Sequence, residues 1–184
     1  MPRKTNKKKA NRTILLVVEG QTEKEYFSDL KNSKKLLSVT IIPKIASHSS
    51  VSNILESAIR ESNDKIYDSI WCVFDRDTEV AKKAKTLESQ AVKKGIRIAD
   101  SLPAFEVWFL LHYTIPQYSY PNQDKLIEEL KKYIPNYVKG RGGKTYSLLK
   151  SNLDCAMKNA KDLESKKYET FCNVHKILED IGMY

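Results

Sequence analysis

Between residues 13 and about 100 the chain alternates short, continuously apolar runs with segments whose apolar residues recur at helical spacing. That alternation limits the fold more than any other feature. Thr13–Val18 is an unbroken run of β-branched residues and leucines, the pattern of a strand covered on both faces. Gly20 permits a sharp turn after it, and Thr22-x-x-Glu25 forms a capping box that predicts a helix to about residue 32. Val39–Ile45 reads as a second strand. Ser49 or Ser50 then caps a helix whose Val51, Ile54, Leu55, Ala58 and Ile59 line one face. Asp68–Phe74 is the third expected strand. The helix after it carries Val80, Ala81, Ala84, Leu87 and Ala91 and closes at Gly95, before a fourth short strand at Ile96–Ala99. Strands joined by helices form a parallel sheet flanked by helices, with right-handed crossovers. All strand C-termini then lie on one rim, where such sheets bind ligands at the point of strand-order reversal.

Two apolar strands end in acids at that rim: the first in Glu19, the third in Asp75-Arg76-Asp77. An ionised carboxylate removed from water must be paired or must ligate a metal, and two acids in one short turn can hold a hard cation through oxygen. The alternative is a plain turn, with Asp77 or Thr78 capping the next helix and Asp75 solvated. Glu23 falls in the first turn of its helix, where the helix dipole favours an acid whether or not it has a function. Glu106 is the one acid among Phe105, Val107, Trp108, Phe109, Leu110 and Leu111, and a charge there needs a partner or a metal. Pro103 suits the first position of that helix. His112 is expected to be a packed core or boundary residue.

The net charge of +9 is unevenly spread. Residues 1–12 hold six Lys/Arg and no acid, and residues 125–167 hold 11 basic against 5 acidic residues. The stretch 13–124, which carries the acids of interest, is close to neutral with 14 basic and 15 acidic residues. A polyanion would be held by basic segments beside the acids rather than by the acids' own domain. Cys72, Cys155 and Cys172 form no CxxC, so a disulfide framework and a zinc site are not expected; the pattern fits a cytoplasmic protein. No apolar run approaches a membrane span.

The alternation ends at Thr114. Helices are expected near 122–133, 145–163 and 171–182, with Tyr137-Val-Lys-Gly-Arg-Gly-Gly-Lys-Thr-Tyr between the first two. Gly143-Lys144-Thr145 is not a P-loop, because Val138 stands where its first glycine belongs and no buried strand precedes it. A basic glycine loop reaching over the rim and a solvated linker both remain open. The chain thus divides into a basic tail, residues 1–12, expected to be disordered; an α/β core, 13–113; and a helical C-terminal extension, 114–184, packed on the core.

The ordered set Val18-Glu19-Gly20-Gln-Thr22-Glu23, Val73-Phe74-Asp75-Arg76-Asp77 and Ser101-Leu-Pro103-Ala-Phe105-Glu106-Val-Trp108 resembles the Toprim domain. With the weaker Tyr137-Val-Lys139-Gly140, it resembles most closely the RloB-like (AbiLii-like) family of small Toprim proteins from bacterial defence loci. Leu102 stands where that family usually has asparagine, which puts in doubt a polar contact beside the site but not the acids. The resemblance implies a Toprim-like Rossmannoid core and a Mg²⁺- or Mn²⁺-dependent nuclease acting on RNA, tRNA or DNA in anti-phage defence, beside an AAA- or SMC-like ATPase partner. Asp75 and Asp77 would hold the metal, Glu106 or Glu23 would complete the shell or hold a second ion, and Glu19 would be general acid/base or ligand. Lys139 would neutralise the scissile phosphate. Two rivals are a haloacid-dehalogenase-like phosphatase, with Asp75-Arg-Asp77-Thr78 as its DxDxT, and a non-catalytic Toprim scaffold that recruits an ATPase. A phospho-receiver lacks its acid pair after the first strand and its Lys-Pro.

Overall fold

The structure is a computed structural model that describes residues 12–34, 39–45, 50–76, 82–140, 144–166 and 169–183, with 39–45 and 82–83 described by backbone alone. The expected alternation is present. Strand β1 (Arg12–Val18) leads to helix α1 (Gln21–Lys34), β2 (Val39–Ile45) to α2 (Val51–Asp64), β3 (Ser69–Asp75) to α3 (Lys82–Lys93), and β4 (Arg97–Leu102) to α4 (Glu106–Leu111). Ser50 caps α2 by accepting from the Asn53 N–H at 3.2 Å. Gly95 takes φ +78° just beyond α3, a conformation that favours glycine over residues with a Cβ.

The sheet order is β2-β1-β3-β4-β5, with β1 to β4 parallel and β5 (Phe171–Cys172) antiparallel on β4. The chain leaves β1 towards β2 on one side and returns to β3 on the other, so the order reverses between β1 and β3, where Glu19 and Asp75 end their strands. Alternate residues of the buried strands feed two cores. Ile14, Leu16, Val18, Trp71 and Val73 face a layer made by α1, α4 and the C-terminal helices, whereas Leu15, Val17, Ile70, Cys72 and Phe74 face α2 and α3.

The C-terminal segment comprises α5 (Gln123–Leu130), α6 (Thr145–Leu149), a 3-10 turn (Lys150–Asn152), α7 (Leu153–Glu164) and α8 (His175–Asp180). Leu126, Leu130, Tyr146, Ala156, Ile177 and Leu178 join the same core as α1 and α4, so the extension is an integral layer over one face of the sheet. Three expectations are corrected. The helix expected over 145–163 is broken by the 3-10 turn. The one expected over 171–182 begins as β5, whose Cys172 pairs with Ser101. Pro103 does not open α4: β4 runs on to Leu102 where β5 pairs with it, and Pro103, after a cis peptide bond, lies in the connection. The basic tail lies outside the described residues except for Arg12, which opens β1. Among the described residues, no helix is long and apolar enough to cross a membrane.

Candidate metal-binding and catalytic site

Parallel pairing in register places Val18 beside Val73, so the residues that follow both strands emerge together. The Glu19 N–H donates to the Val73 carbonyl at 3.0 Å, and Glu19 Oε2 accepts from the Asp75 N–H at 2.8 Å. Glu19 therefore ties the ends of β1 and β3 together with its carboxylate turned into the switch point. Glu23 comes from the first turn of α1, where its Oε2 accepts from the Gly20 N–H at 3.1 Å. This is the acid half of a capping box, placed two residues earlier than the expected Thr22–Glu25 pair. A Cβ on Gly20 would lie 3.2 Å from that same oxygen, a tight contact in which the Glu23 carboxylate would have to shift by a few tenths of an ångström; Gly20 is not among the glycines with positive φ.

Glu106 opens α4 and is fully buried, its exposure 0%. Its Oε1 accepts from the Tyr137 hydroxyl at 2.7 Å, while its Oε2 has no hydrogen-bond partner among the described residues. Asp75 Oδ1 is likewise buried and unpartnered among them. Lys139 reaches across from the segment after α5, with Nζ 3.7 Å from Asp75 Oδ2 and 4.0 Å from Glu106 Oε2. The Gly140 N–H, at φ +68°, donates to Thr22 Oγ1 at 3.1 Å and fixes that segment over α1. Asp77 lies outside the described residues, as do Thr78 and Arg141; Lys144 is exposed at the start of α6.

The electrostatics follow from this crowding. Burial first, and then the neighbouring Glu23 with Glu19 and Glu106, push Asp75 up to about 8 against the opposing charge of Lys139. Burial also pushes Glu23 up to about 7, with Glu106 and Glu19 adding to it and a backbone hydrogen bond and Lys139 opposing. Among the described residues, Glu19, Glu23, Asp75 and Glu106 thus face one ammonium, a rim that favours further positive charge and repels phosphate. Two buried carboxylate oxygens without a hydrogen bond and an all-oxygen donor set suit a hard divalent cation. Among the described residues, no three acids, histidines or cysteines are already gathered to hold an ion, so Asp75, Glu106 and Glu23 would have to draw together around one.

The sequence reading located Glu19, Asp75, Glu106, Glu23 and Lys139 at one site, and the structure brings these five together. His112 is a core residue as expected: it is buried, Nδ1–H donates to the Trp108 carbonyl at 2.9 Å, and burial holds its pKa down near 4. Arg76 points away from the acids, where it pairs with Asp100 at 2.6 Å and Glu88 at 3.1 Å. Sequence reasoning gave Tyr137 and Thr22 no role at the site, although both stand in the stretches that carry the family resemblance.

The model of the RloB-like protein family matches residues 14–181. The chain belongs to the RloB-like protein family. The match runs from β1 through α8, so this RloB-like chain carries the sheet, the acid rim and the C-terminal layer as one family unit. Comparison with curated proteins and with solved structures finds no match.

Proposed function

We propose that this RloB-like protein is a metal-dependent nuclease that cleaves phosphodiester bonds in RNA or DNA. The observation that carries the reading is the pair of buried oxygens without a hydrogen bond, Asp75 Oδ1 and Glu106 Oε2, beside Glu19 and Glu23 at the switch point, with Lys139 facing them. Asp75, Glu106 and Glu23, joined by Asp77, would hold Mg²⁺ or Mn²⁺. The ion would supply Lewis-acid activation of water and of the phosphoryl oxygens.

The chain's own groups do the rest. Glu19 is oriented by the Asp75 N–H and is placed to take or return a proton at the rim. The Lys139 ammonium, 41% exposed, is the group able to turn from the acids to a non-bridging phosphate oxygen, where it stabilises developing charge. Tyr137 holds Glu106. Substrate recruitment falls to the basic segments 1–12 and 125–167, because the rim itself is acidic. A role in anti-phage defence beside an AAA- or SMC-like ATPase accords with the resemblance to proteins of bacterial defence loci.

The test is cleavage of a panel of single- and double-stranded DNA and RNA, tRNA included, with Mg²⁺, with Mn²⁺ and with EDTA. Metal-dependent phosphodiester cleavage is expected. Release of phosphate from a small phosphomonoester without cleavage of any polymer would replace the nuclease by the phosphatase reading. A folded, metal-loaded protein inert on both would point to the scaffold.

A further inference from the structure

A glutamate can present either carboxylate oxygen by turning about its last torsion, so a buried glutamate that must offer one particular oxygen needs something to hold the other. At Glu106 that something is Tyr137, whose hydroxyl donates to Oε1 at 2.7 Å inside the protein. The Tyr137 ring is fixed edge-on to Phe109, centroids 5.8 Å apart, so the hydroxyl is delivered by a packed group and not by a mobile one. Thr22 stands behind it. Its hydroxyl accepts the Gly140 N–H at 3.1 Å and so holds the segment that carries both Tyr137 and Lys139. Glu106, Tyr137 and Thr22 are 0%, 8% and 7% exposed, so no water competes freely for these contacts.

We propose that Tyr137 and Thr22 are positioning residues: Tyr137 fixes Oε2 of Glu106 towards the rim by holding Oε1, and Thr22, by accepting from the Gly140 N–H, docks the segment that bears Tyr137 and Lys139. The inference rests on the metal reading of the site. The Tyr137 proton goes to Oε1 of the Glu106 carboxylate, and a Thr22 lone pair takes the Gly140 N–H. One α1 hydroxyl therefore sets the position of the segment that carries both the tyrosine on Glu106 and the lysine beside it. The same helix holds the far side of the loop, since Asp29, two turns on from Thr22, accepts from the Ser147 N–H at 2.6 Å and from its hydroxyl at 2.9 Å.

The experiment is calorimetric titration of Mn²⁺ into the full-length protein without nucleic acid, for wild type, Tyr137→Phe, Thr22→Val and Thr22→Ser. Tyr137→Phe keeps the ring and deletes the donor, and loss of such a partner to a metal ligand weakens affinity roughly 10- to 100-fold. Thr22→Val should weaken it in the same direction, while Thr22→Ser, which keeps the hydroxyl, should match wild type. Wild-type affinity in a folded Tyr137→Phe protein would overturn the positioning role and leave the metal site standing. Absence of Mn²⁺ binding in wild type would overturn both. Should Tyr137→Phe fail to fold, the threonine pair decides: equal affinities for Thr22→Val and Thr22→Ser would sink the proposal.

Discussion

Glu106 and Asp75 each bury an oxygen that accepts no hydrogen bond from a described residue, at a cost of a few kcal/mol by general estimates for such groups. Such an atom is kept when it has a task in another state of the molecule. Glu106→Gln is a sharp probe, because the amide oxygen still accepts from Tyr137 and only the free oxygen is replaced. We expect turnover to fall by orders of magnitude with no loss of thermal stability in the metal-free protein; normal turnover would remove Glu106 from the site. Asp75 carries a pH signature. Its folded value, about 8, lies above the ordinary 3.8, so its contribution to stability is fullest below pH 4 and is lost as pH rises through about 8. Glu23, raised to about 7, acts in the same direction. The metal-free wild type should therefore lose stability between pH 4 and 8, and Asp75→Asn should lose less, as melting temperatures across that range would show. At this scale the acids were legible because an acid that ends an apolar strand contradicts its surroundings. The role of Tyr137 was not, since the motif names the residue but its contact with Glu106 spans 31 positions.

Helix α1 works as a rail under the segment that bears Lys139. Thr22, Tyr26 and Asp29 recur on one face: Thr22 holds Gly140, Tyr26 packs edge-on to Tyr146 with centroids 5.7 Å apart, and Asp29 holds Ser147. Gly140 and Ser147 are thereby pinned on either side of residues 141–143, which lie outside the described residues. Asp29 serves as a cap borrowed from another helix, for its carboxylate satisfies an N–H in the first turn of α6. Asp29→Ala should cost about 1 kcal/mol, the usual price of a lost cap, and should hasten tryptic cleavage after the exposed Lys144. Unchanged cleavage would mean that Tyr26 and Thr22 suffice. Elements up to β4 were readable because apolar period and caps are local signals. The break between α6 and α7 was not, since Lys150-Ser151-Asn152 interrupts the helix without proline or glycine, and β5 is two residues long and exists only because β4 offers an edge.

At the scale of the whole molecule, the acid rim has a counterpart at the opposite edge of the sheet. Asp180, at the end of α8, accepts from Ser69 Oγ at 2.6 Å and Trp71 Nε1 at 3.0 Å, and pairs with Arg12 at 3.0 Å and Arg97 at 2.9 Å. These residues belong to the beginnings of β1, β3 and β4, so one carboxylate near the chain's end clasps three strands on the edge away from the site. Burial works to raise its pKa, but the hydrogen bonds from Ser69, Trp71 and Arg12 and the charge of Arg97 outweigh it and hold the value near 2. A depressed carboxyl contributes stability above its unfolded value, near 3.8, and loses it as pH falls through about 2. Asp180→Asn should therefore cost about 2 kcal/mol at pH 7, with the difference from wild type shrinking below pH 4 and gone near pH 2. The two arginine side chains are 42% and 52% exposed, so their share is screened by salt, whereas the Ser69 and Trp71 bonds are not. Denaturant unfolding at pH 7, in low salt and in molar salt, separates the two: most of the loss should survive high salt. Equal stability of Asp180→Asn and wild type at pH 7 would show that the clasp is dispensable. Because Asp180 is remote from the rim, Mn²⁺ affinity should be unchanged in the variant at temperatures where it is folded.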